Sequence, residues 1–320
     1  MFNKPQTTWD YSAPTFPEPR PFQIDVHERL RQGAREGHKN QLLVASTGTG
    51  KTLCAARIAA GALQKGSKVL FIADRIALVN QTVKAFESYG IKDLGVIQAG
   101  HERRNKDFPL QIASAQTLIR RGYFHDCEVI IVDEAHTQYS ALTKHLQETK
   151  SRVIGLTATP FSKGLGLTYS NVVSAPPMAE LTESGILKKL RVMSCTPPNM
   201  KGAEISGGEW TAAAAAQRGM AIVGDVPREW LKHAEQRKTI VFGSTIAHCQ
   251  ELAARFADLG VMAALYTAET KATEREQLVA EFAREDSPLK VLISVEALAK
   301  GFDSPAVSCV VDCRPLRKSV

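Results

Sequence analysis

Residues 45–52 carry glycines, a lysine and a threonine in the order that a phosphate-binding loop (P-loop) requires. The segment reads Ala-Ser-Thr-Gly-Thr-Gly-Lys-Thr and joins a predicted apolar strand to a predicted helix. Backbone N–H groups at a helix start can surround a phosphate, and glycines permit backbone conformations that a side chain would block. The lysine supplies a positive charge for the β- and γ-phosphates, and the last threonine a hydroxyl ligand for Mg²⁺. We therefore predict an ATP site formed by Thr47, Gly48, Thr49, Gly50, Lys51 and Thr52.

The usual form of this motif begins with glycine, where this chain has Ala45. Since Ala45 ends the predicted strand and adds no side chain to the loop, we expect the substitution to be mild. A glycine-rich turn with an incidental lysine is the alternative interpretation. The order of the residues and the strand–loop–helix context favour the nucleotide site.

A second segment places two carboxylates after an apolar strand. Ile130-Ile131-Val132 is followed by Asp133-Glu134-Ala135-His136. Adjacent side chains at a strand end point to opposite sides of the backbone. Asp133 is therefore predicted to bind Mg²⁺, while Glu134 activates a water beside the γ-phosphate as the general base. A helix cap is the alternative for an isolated Asp-Glu pair, but the upstream phosphate loop favours catalysis.

Composition limits the class of protein. The 320 residues are 44% hydrophobic and 23% charged, and they contain no apolar run of the length that spans a bilayer. The N-terminus lacks an apolar signal core, and the six cysteines form no C-x-x-C pair. These features predict a cytoplasmic protein with no membrane association. The net charge of +7 suits a polyanionic partner without requiring one.

Short apolar runs alternate with amphipathic stretches of helical length along most of the chain. This alternation predicts an α/β fold with parallel sheets that helices cover on both faces. Proline-rich residues 1–21 are expected to form an extended N-terminal arm. We place an ATP-binding domain at 22–165, a connector and the start of a second domain at 166–235, and a second α/β domain at 236–320.

Taken together, these motifs resemble the superfamily 2 nucleic-acid helicases and translocases of the DExH type. The resemblance runs from about residue 20 to the end, and further matches follow in the order that this family shows. They are Arg20-Pro21-Phe22-Gln23, Asp74-Arg75 with Leu78-Val79-Asn80-Gln81, Ser114-Ala115-Gln116-Thr117, Thr157-Ala158-Thr159-Pro160, Thr239–Ser244 and Ala299–Pro305. Within the superfamily, the chain resembles RadD-like repair helicases and restriction-enzyme motor subunits.

The resemblance implies two tandem RecA-like domains with ATP and Mg²⁺ between them, and a nucleic-acid strand held across both. It implies that Gln23 recognises adenine, that Gly301 and Asp303 approach the nucleotide, and that Thr157 and Thr159 couple hydrolysis to domain movement. The implied nucleic-acid contacts are Arg75, Gln116, Thr117, Ser244 and Thr245. Contacts of this kind go mostly to phosphates, so binding should be salt-sensitive and largely independent of sequence. We favour DNA over RNA as the partner.

One family motif has no match. The arginine-containing motif VI should follow Arg314-Pro315, and the chain stops at Val320. We expect the second domain to be incomplete at its C-terminal end, with the arginine finger supplied by further residues or by a protein partner. Because comparable fingers accelerate phosphoryl transfer by about 10³–10⁵-fold, this chain alone is expected to be a weak ATP hydrolase. Arg314 and Arg317 are poorly spaced substitutes.

Three functions fit these motifs to different degrees. The leading hypothesis is an ATP-dependent nucleic-acid helicase or translocase. A sensor or assembly module that binds ATP and nucleic acid with little turnover is the alternative. A small-molecule kinase would share the phosphate loop, but the Thr157–Pro160 segment argues against it.

Overall fold

The computed structural model describes residues 15–193, 199–206, 209–220, 226–298, 304 and 306–314. The chain divides into two compact units, Met1–Leu190 and Arg191–Val320. Gly301 and Asp303, two of the predicted nucleotide contacts, lie outside the described residues.

The first unit alternates strands and helices, as the sequence predicts. Its helices are α1 Pro21–Arg35, α2 Lys51–Leu63, α3 Ile76–Ser88, α4 Ala115–Arg121, α5 Ser140–Glu148, α6 Leu165–Thr168 and α7 Met178–Glu183. Its strands are β1 Asn40–Val44, β2 Val69–Ala73, β3 Leu94–Val96, β4 Leu110–Ser114, β5 Val129–Val132, β6 Arg152–Thr157 and β7 Asn171–Ser174.

The strands of the first unit pair in parallel in the order β3-β4-β2-β5-β6-β1-β7. Strand β2 shows why the sheet lies inside the unit, since all five of its residues are buried. Val69, Phe71 and Ala73 pack into one apolar cluster with α2 and α3. Leu70 and Ile72 pack into a second cluster on the other face, with α4 and α5. Helices therefore cover both faces of the sheet, as its continuous apolar strands require.

The second unit repeats this design on a smaller scale. Its elements are β8 Ile205–Ser206, β9 Glu209–Trp210, α8 Ala212–Met220, α9 Val226–His233, β10 Thr239–Phe242, α10 Ile246–Asp258, β11 Ala263–Leu265, α11 Ala272–Ala283, β12 Val291–Ser294 and β13 Cys309–Asp312. Among the described residues, four parallel strands form a sheet in the order β11-β12-β10-β13. Apolar clusters lie on both of its faces. Strands β8 and β9 form a separate antiparallel pair.

Helix α1 and strands β3 and β7 are among the elements of the first unit that were not identified from the sequence. Helix α1 begins at Pro21 in the motif that carries Gln23, and β3 has only three residues. Strand β7 reads Asn-Val-Val-Ser between glycine- and proline-containing segments, and it lies beyond residue 165, where we placed the end of the first domain. The first unit extends to Leu190 because β7 pairs with β1 along the sheet edge. The limits of the functional domains stay predictions.

The N-terminal arm is described only from residue 15 onward, and residues 15–20 form no helix or strand. Within the described ranges, we find no helix that combines the length and the apolar character needed to cross a membrane.

Candidate nucleotide and nucleic-acid site of the first unit

The sheet order brings the predicted site residues of the first unit to one edge. Parallel strands end at the same edge of a sheet, and ligands bind there in α/β folds. Along this edge lie the ends of β4, β2, β5, β6 and β1. Gln116 and Thr117 follow β4, Arg75 follows β2, and Asp133 and Glu134 follow β5. Thr159 follows β6, and the phosphate loop 45–52 follows β1. The predicted nucleic-acid contacts thus follow β4 and β2, the predicted catalytic and nucleotide-binding residues follow β5 and β1, and the predicted coupling residue Thr159 follows β6.

The phosphate loop turns at two glycines. Gly48 and Gly50 have φ angles of 82° and 87°, in the left-handed region that favours glycine. Gly50 caps α2, which begins at Lys51. A Cβ atom at Gly50 would lie 2.8 Å from Nε2 of Gln23, so the position also lacks space for a side chain.

Gln23 attaches α1 to this loop. Its Nε2 donates to the carbonyl of Thr49 at 2.9 Å, and its Oε1 accepts from the backbone N–H of Arg20 at 3.0 Å. The residue is 2% exposed. The structure therefore gives Gln23 a role in supporting the loop, and adenine recognition stays a prediction. Arg20, which we did not list as a site residue, lies with Nη1 3.5 Å from the Gly48 carbonyl.

Lys51 lies inside the curve of the loop. Its Nζ donates to the carbonyls of Ala45 at 3.2 Å and Ser46 at 3.5 Å. Thr49 closes the turn, since its hydroxyl donates to the Ser46 carbonyl at 2.6 Å. The backbone N–H of Ala45 donates to the Thr157 carbonyl at 2.9 Å, which extends the β1–β6 pairing by one residue. Ala45 acts through its backbone, so its replacement of glycine leaves these contacts intact.

The segment Asp133–His136, which we call the DEAH segment, forms a turn after β5. The helix-cap interpretation does not apply, because α5 begins only at Ser140. Glu134 has a φ angle of 48°, and its backbone N–H donates to Oδ1 of Asp133 at 3.0 Å. Burial, followed by the charge of Glu134, raises the pKa of Asp133 to about 6, although the charge of Lys51 opposes the shift. A cation beside Asp133 would favour its ionised form.

His136 connects the DEAH segment to the end of β6. Its Nδ1 lies 3.2 Å from Oε2 of Glu134 and 3.0 Å from Oγ1 of Thr157. The Thr157 hydroxyl accepts from the backbone N–H of Thr159 at 3.0 Å, and Thr157 is fully buried. We identified His136 from the sequence as part of the motif, but we predicted no contact for it.

The oxygen atoms available at this site suit the Mg²⁺ ion of a nucleotide complex. Thr52 on the first turn of α2 and Asp133 after β5 offer a hydroxyl and a carboxylate oxygen, the ligand type that Mg²⁺ prefers. In the described ranges, no three His, Cys, Asp or Glu residues lie close enough to hold a metal by themselves. A Mg²⁺ ion that also uses phosphate oxygens and water needs only one or two protein groups.

The predicted nucleic-acid contacts of the first unit differ in their exposure to solvent. Arg75 is exposed at the start of α3, and Gln116 is exposed on α4. Thr117 is partly buried, and its hydroxyl accepts from the Ser114 hydroxyl at 2.9 Å. In the basic segment 101–106, His101 contacts Asn80 of α3 at 2.8 Å, and Arg103 pairs with Glu87.

In the second unit, the predicted contacts begin α10. The Thr245 hydroxyl accepts from the backbone N–H of His248 at 3.1 Å as the N-cap, so it already has a structural partner. The Ser244 hydroxyl is buried without a hydrogen-bond partner in the described part of the chain. Arg314, weighed as a substitute for the finger, is held by both carboxylate oxygens of Asp312 at 2.8 Å and lies over the Phe242 ring.

Two family models match the chain. Residues 16–162 match the model described as "Type III restriction enzyme, res subunit", and residues 223–319 match the "Helicase conserved C-terminal domain". The first match contains the phosphate loop and the DEAH segment, and the second contains the four-stranded sheet.

Individual proteins agree with these models. The chain is 26% identical to a 51.5 kDa protein of Lactococcus phage (isolate 7-9), over 87% of this chain and 60% of that protein. It is also 26% identical to IRC3 of Saccharomyces cerevisiae, an ATP-dependent helicase by name, over 96% of this chain and 48% of that protein. The chain therefore spans about half to three fifths of the length of these relatives.

A solved structure supports the fold. It is a fragment assigned to the HsdR subunit of a type I restriction enzyme from Vibrio vulnificus YJ016, with a TM-score of 0.69 and 20% identity. The match covers 96% of this chain and 60% of that one. At this identity, the likeness concerns the fold alone.

Proposed function

Because the chain belongs to the superfamily 2 helicases, we propose that it hydrolyses ATP with Mg²⁺ to move along, or separate the strands of, a nucleic acid. The observation that supports this most directly is the order of strand ends along one edge of the first sheet. The phosphate loop, the DEAH segment and the predicted nucleic-acid contacts all follow β-strands that end along this edge. One edge can therefore serve both ATP and a polynucleotide.

The residues of the nucleotide half divide the chemistry between them. Lys51 and the backbone N–H groups of the loop would bind the phosphates, while Thr52 and Asp133 would hold Mg²⁺. Mg²⁺ would neutralise charge that develops on the phosphates. Glu134 accepts a proton from the attacking water, and His136 orients its carboxylate by the contact at 3.2 Å.

The nucleic-acid half contributes affinity more than sequence discrimination. Arg75 offers a guanidinium to a phosphate, and Gln116 and Thr117 offer neutral donors on the next element along the edge. We favour DNA, in line with the restriction-enzyme family whose model matches the first unit. The proposed coupling residues are Thr157 and Thr159. Thr157 contacts His136 of the DEAH segment, and the backbone N–H of Thr159 donates to the Thr157 hydroxyl.

The test measures ATP hydrolysis by the 320-residue chain with and without single-stranded DNA, and separately with RNA. Lys51→Ala should remove nucleotide binding and turnover together. Glu134→Gln should keep nucleotide binding, measured with a fluorescent ATP analogue, while turnover falls by about 10²-fold or more.

One control variant accompanies this experiment. Lys65→Ala, which removes a lysine just beyond the end of α2, should leave turnover unchanged. A chain that binds ATP but is stimulated by neither DNA nor RNA would contradict the proposal. Turnover that survives Glu134→Gln would contradict the role given to that carboxylate.

A further inference from the structure

Asp74 is a buried carboxylate at the end of β2 to which the proposed chemistry gives no role. It is 4% exposed, and it directly follows the last residue of the strand. A buried carboxylate is costly unless charged or hydrogen-bonding partners compensate for the lost water. Its two partners lie on different elements, and they explain what the carboxylate holds in place.

The first partner is Arg75, the predicted phosphate contact. Nε of Arg75 lies 3.5 Å from Oδ2 of Asp74, while the arginine side chain is 52% exposed. Among the described residues, neither terminal nitrogen of Arg75 makes a hydrogen bond or an ion pair. An arginine held through Nε keeps its two terminal nitrogens for a phosphate.

The second partner is Tyr139, which precedes α5. Its hydroxyl donates to Oδ1 of Asp74 at 3.0 Å. The ring packs beside the apolar cluster on the α5 face of the sheet, and the Tyr139 carbonyl accepts from Thr143 in the first turn of α5. The tyrosine is therefore fixed at both its backbone and its hydroxyl, and one oxygen of Asp74 is fixed with it.

We propose that Asp74 and Tyr139 are positioning residues that hold the guanidinium of Arg75 ready for a phosphate of the bound strand. Tyr139 fixes one carboxylate oxygen, so the other oxygen faces Arg75 in a defined direction. A phosphate then binds an arginine whose side chain has already lost much of its rotational freedom. This inference rests on the proposed function, since it concerns the affinity for a polynucleotide.

Tyr139→Phe is the sharpest test, because it removes one hydroxyl without changing any charge. Asp74→Asn is less suitable, since it also removes a negative charge that would repel the strand. ATP turnover is measured against the concentration of a single-stranded oligodeoxythymidine. The half-saturating concentration should rise about threefold to tenfold, the loss expected for one hydrogen bond in a charged network. Basal and maximal turnover should stay unchanged.

The matched control is Tyr169→Phe, which removes the hydroxyl of a buried tyrosine in the cluster against which Tyr139 packs. It should change none of the three quantities. Arg75→Ala should raise the half-saturating concentration, and adding Tyr139→Phe in that background should have no further effect, because the two residues act through one contact. Thermal unfolding of each variant verifies that the fold is retained.

The outcomes separate this inference from the proposed function. If wild-type turnover does not respond to any polynucleotide and no labelled oligonucleotide binds, the proposed function fails and this inference fails with it. If the wild-type chain responds and Tyr139→Phe behaves like Tyr169→Phe, the proposed function stands and the positioning role is wrong. An additive effect of Tyr139→Phe in the Arg75→Ala background would also overturn it.

Discussion

Gly50 and Gln23 show how single residues shape the nucleotide site. Gly50 adopts a φ angle of 87°, and the amide nitrogen of Gln23 lies only 2.8 Å from where a Cβ atom would lie. The same amide supports the loop through the Thr49 carbonyl. A side chain at Gly50 would therefore strain the backbone and displace the support of the loop together.

We expect Gly50→Ala to lower the free energy of unfolding of the first unit by about 1–3 kcal/mol, because of its positive φ and its close contact. Affinity for a fluorescent ATP analogue should fall as well. The matched control is Gly61→Ala in the same helix, which has open space around it and no positive φ. That variant should be stabilised by about 0.5–1 kcal/mol. Urea unfolding measures the free energy of unfolding of both variants, and equal effects at the two glycines would contradict this account.

At the scale of elements, α1 supports the site by packing against α2. Val26 and Leu30 of α1 join the same apolar cluster as Ala56 and Ala60 of α2. His27 lies in this region with its Nε2 buried and without a hydrogen-bond partner in the described part of the chain. Burial, together with the charges of Arg31 on α1 and Arg57 on α2, lowers the pKa of His27 to about 4.

This shift makes the packing of α1 sensitive to acid. As the pH falls from 7, the unfolded chain takes up a proton on His27 with a pKa near 6.5, whereas the folded chain takes it up only near pH 4. Folding stability should therefore fall as the pH drops, by about 2–3 kcal/mol from this group. Between pH 7 and pH 4, the free energy of unfolding of the first unit should fall by about 2–3 kcal/mol less in His27→Gln than in the wild-type chain, as measured by urea unfolding. An identical pH dependence in both chains would show that this histidine is not responsible.

At the scale of the whole molecule, each compact unit has its own apolar clusters. Phe71 lies in a cluster of the first unit, and Phe256 lies in a cluster of the second. Both rings are almost completely buried. Separate cores allow each unit to fold by its own interactions.

We expect Phe71→Ala and Phe256→Ala to act on different units. Each substitution should destabilise its own unit by about 3–5 kcal/mol, the usual cost of removing a buried phenylalanine ring. Hydrogen-exchange mass spectrometry across a urea series can follow peptides of each unit separately. The two variants are chemically matched, so each serves as the control for the other. Loss of protection in both units from either single substitution would indicate that they unfold together.

The sequence alone was sufficient to predict the family resemblance and the fold class. The order of residues in the phosphate loop, the two carboxylates after β5 and the alternation of strands and helices are local patterns, and local patterns are readable along the chain. The family resemblance and the parallel α/β architecture are confirmed. The individual site roles stay predictions.

Only the tertiary structure decided which distant residues meet. Strand order places β2 between β4 and β5, and this brings Asp74 to Tyr139, 65 positions away in the chain. Gln23 likewise reaches the Thr49 carbonyl from a helix that the sequence pattern did not identify. Strand β7 is short and partly polar, so its pairing with β1 defines it better than its own residues do. Contacts of this kind depend on how the sheet is assembled, which periodicity within one segment does not determine.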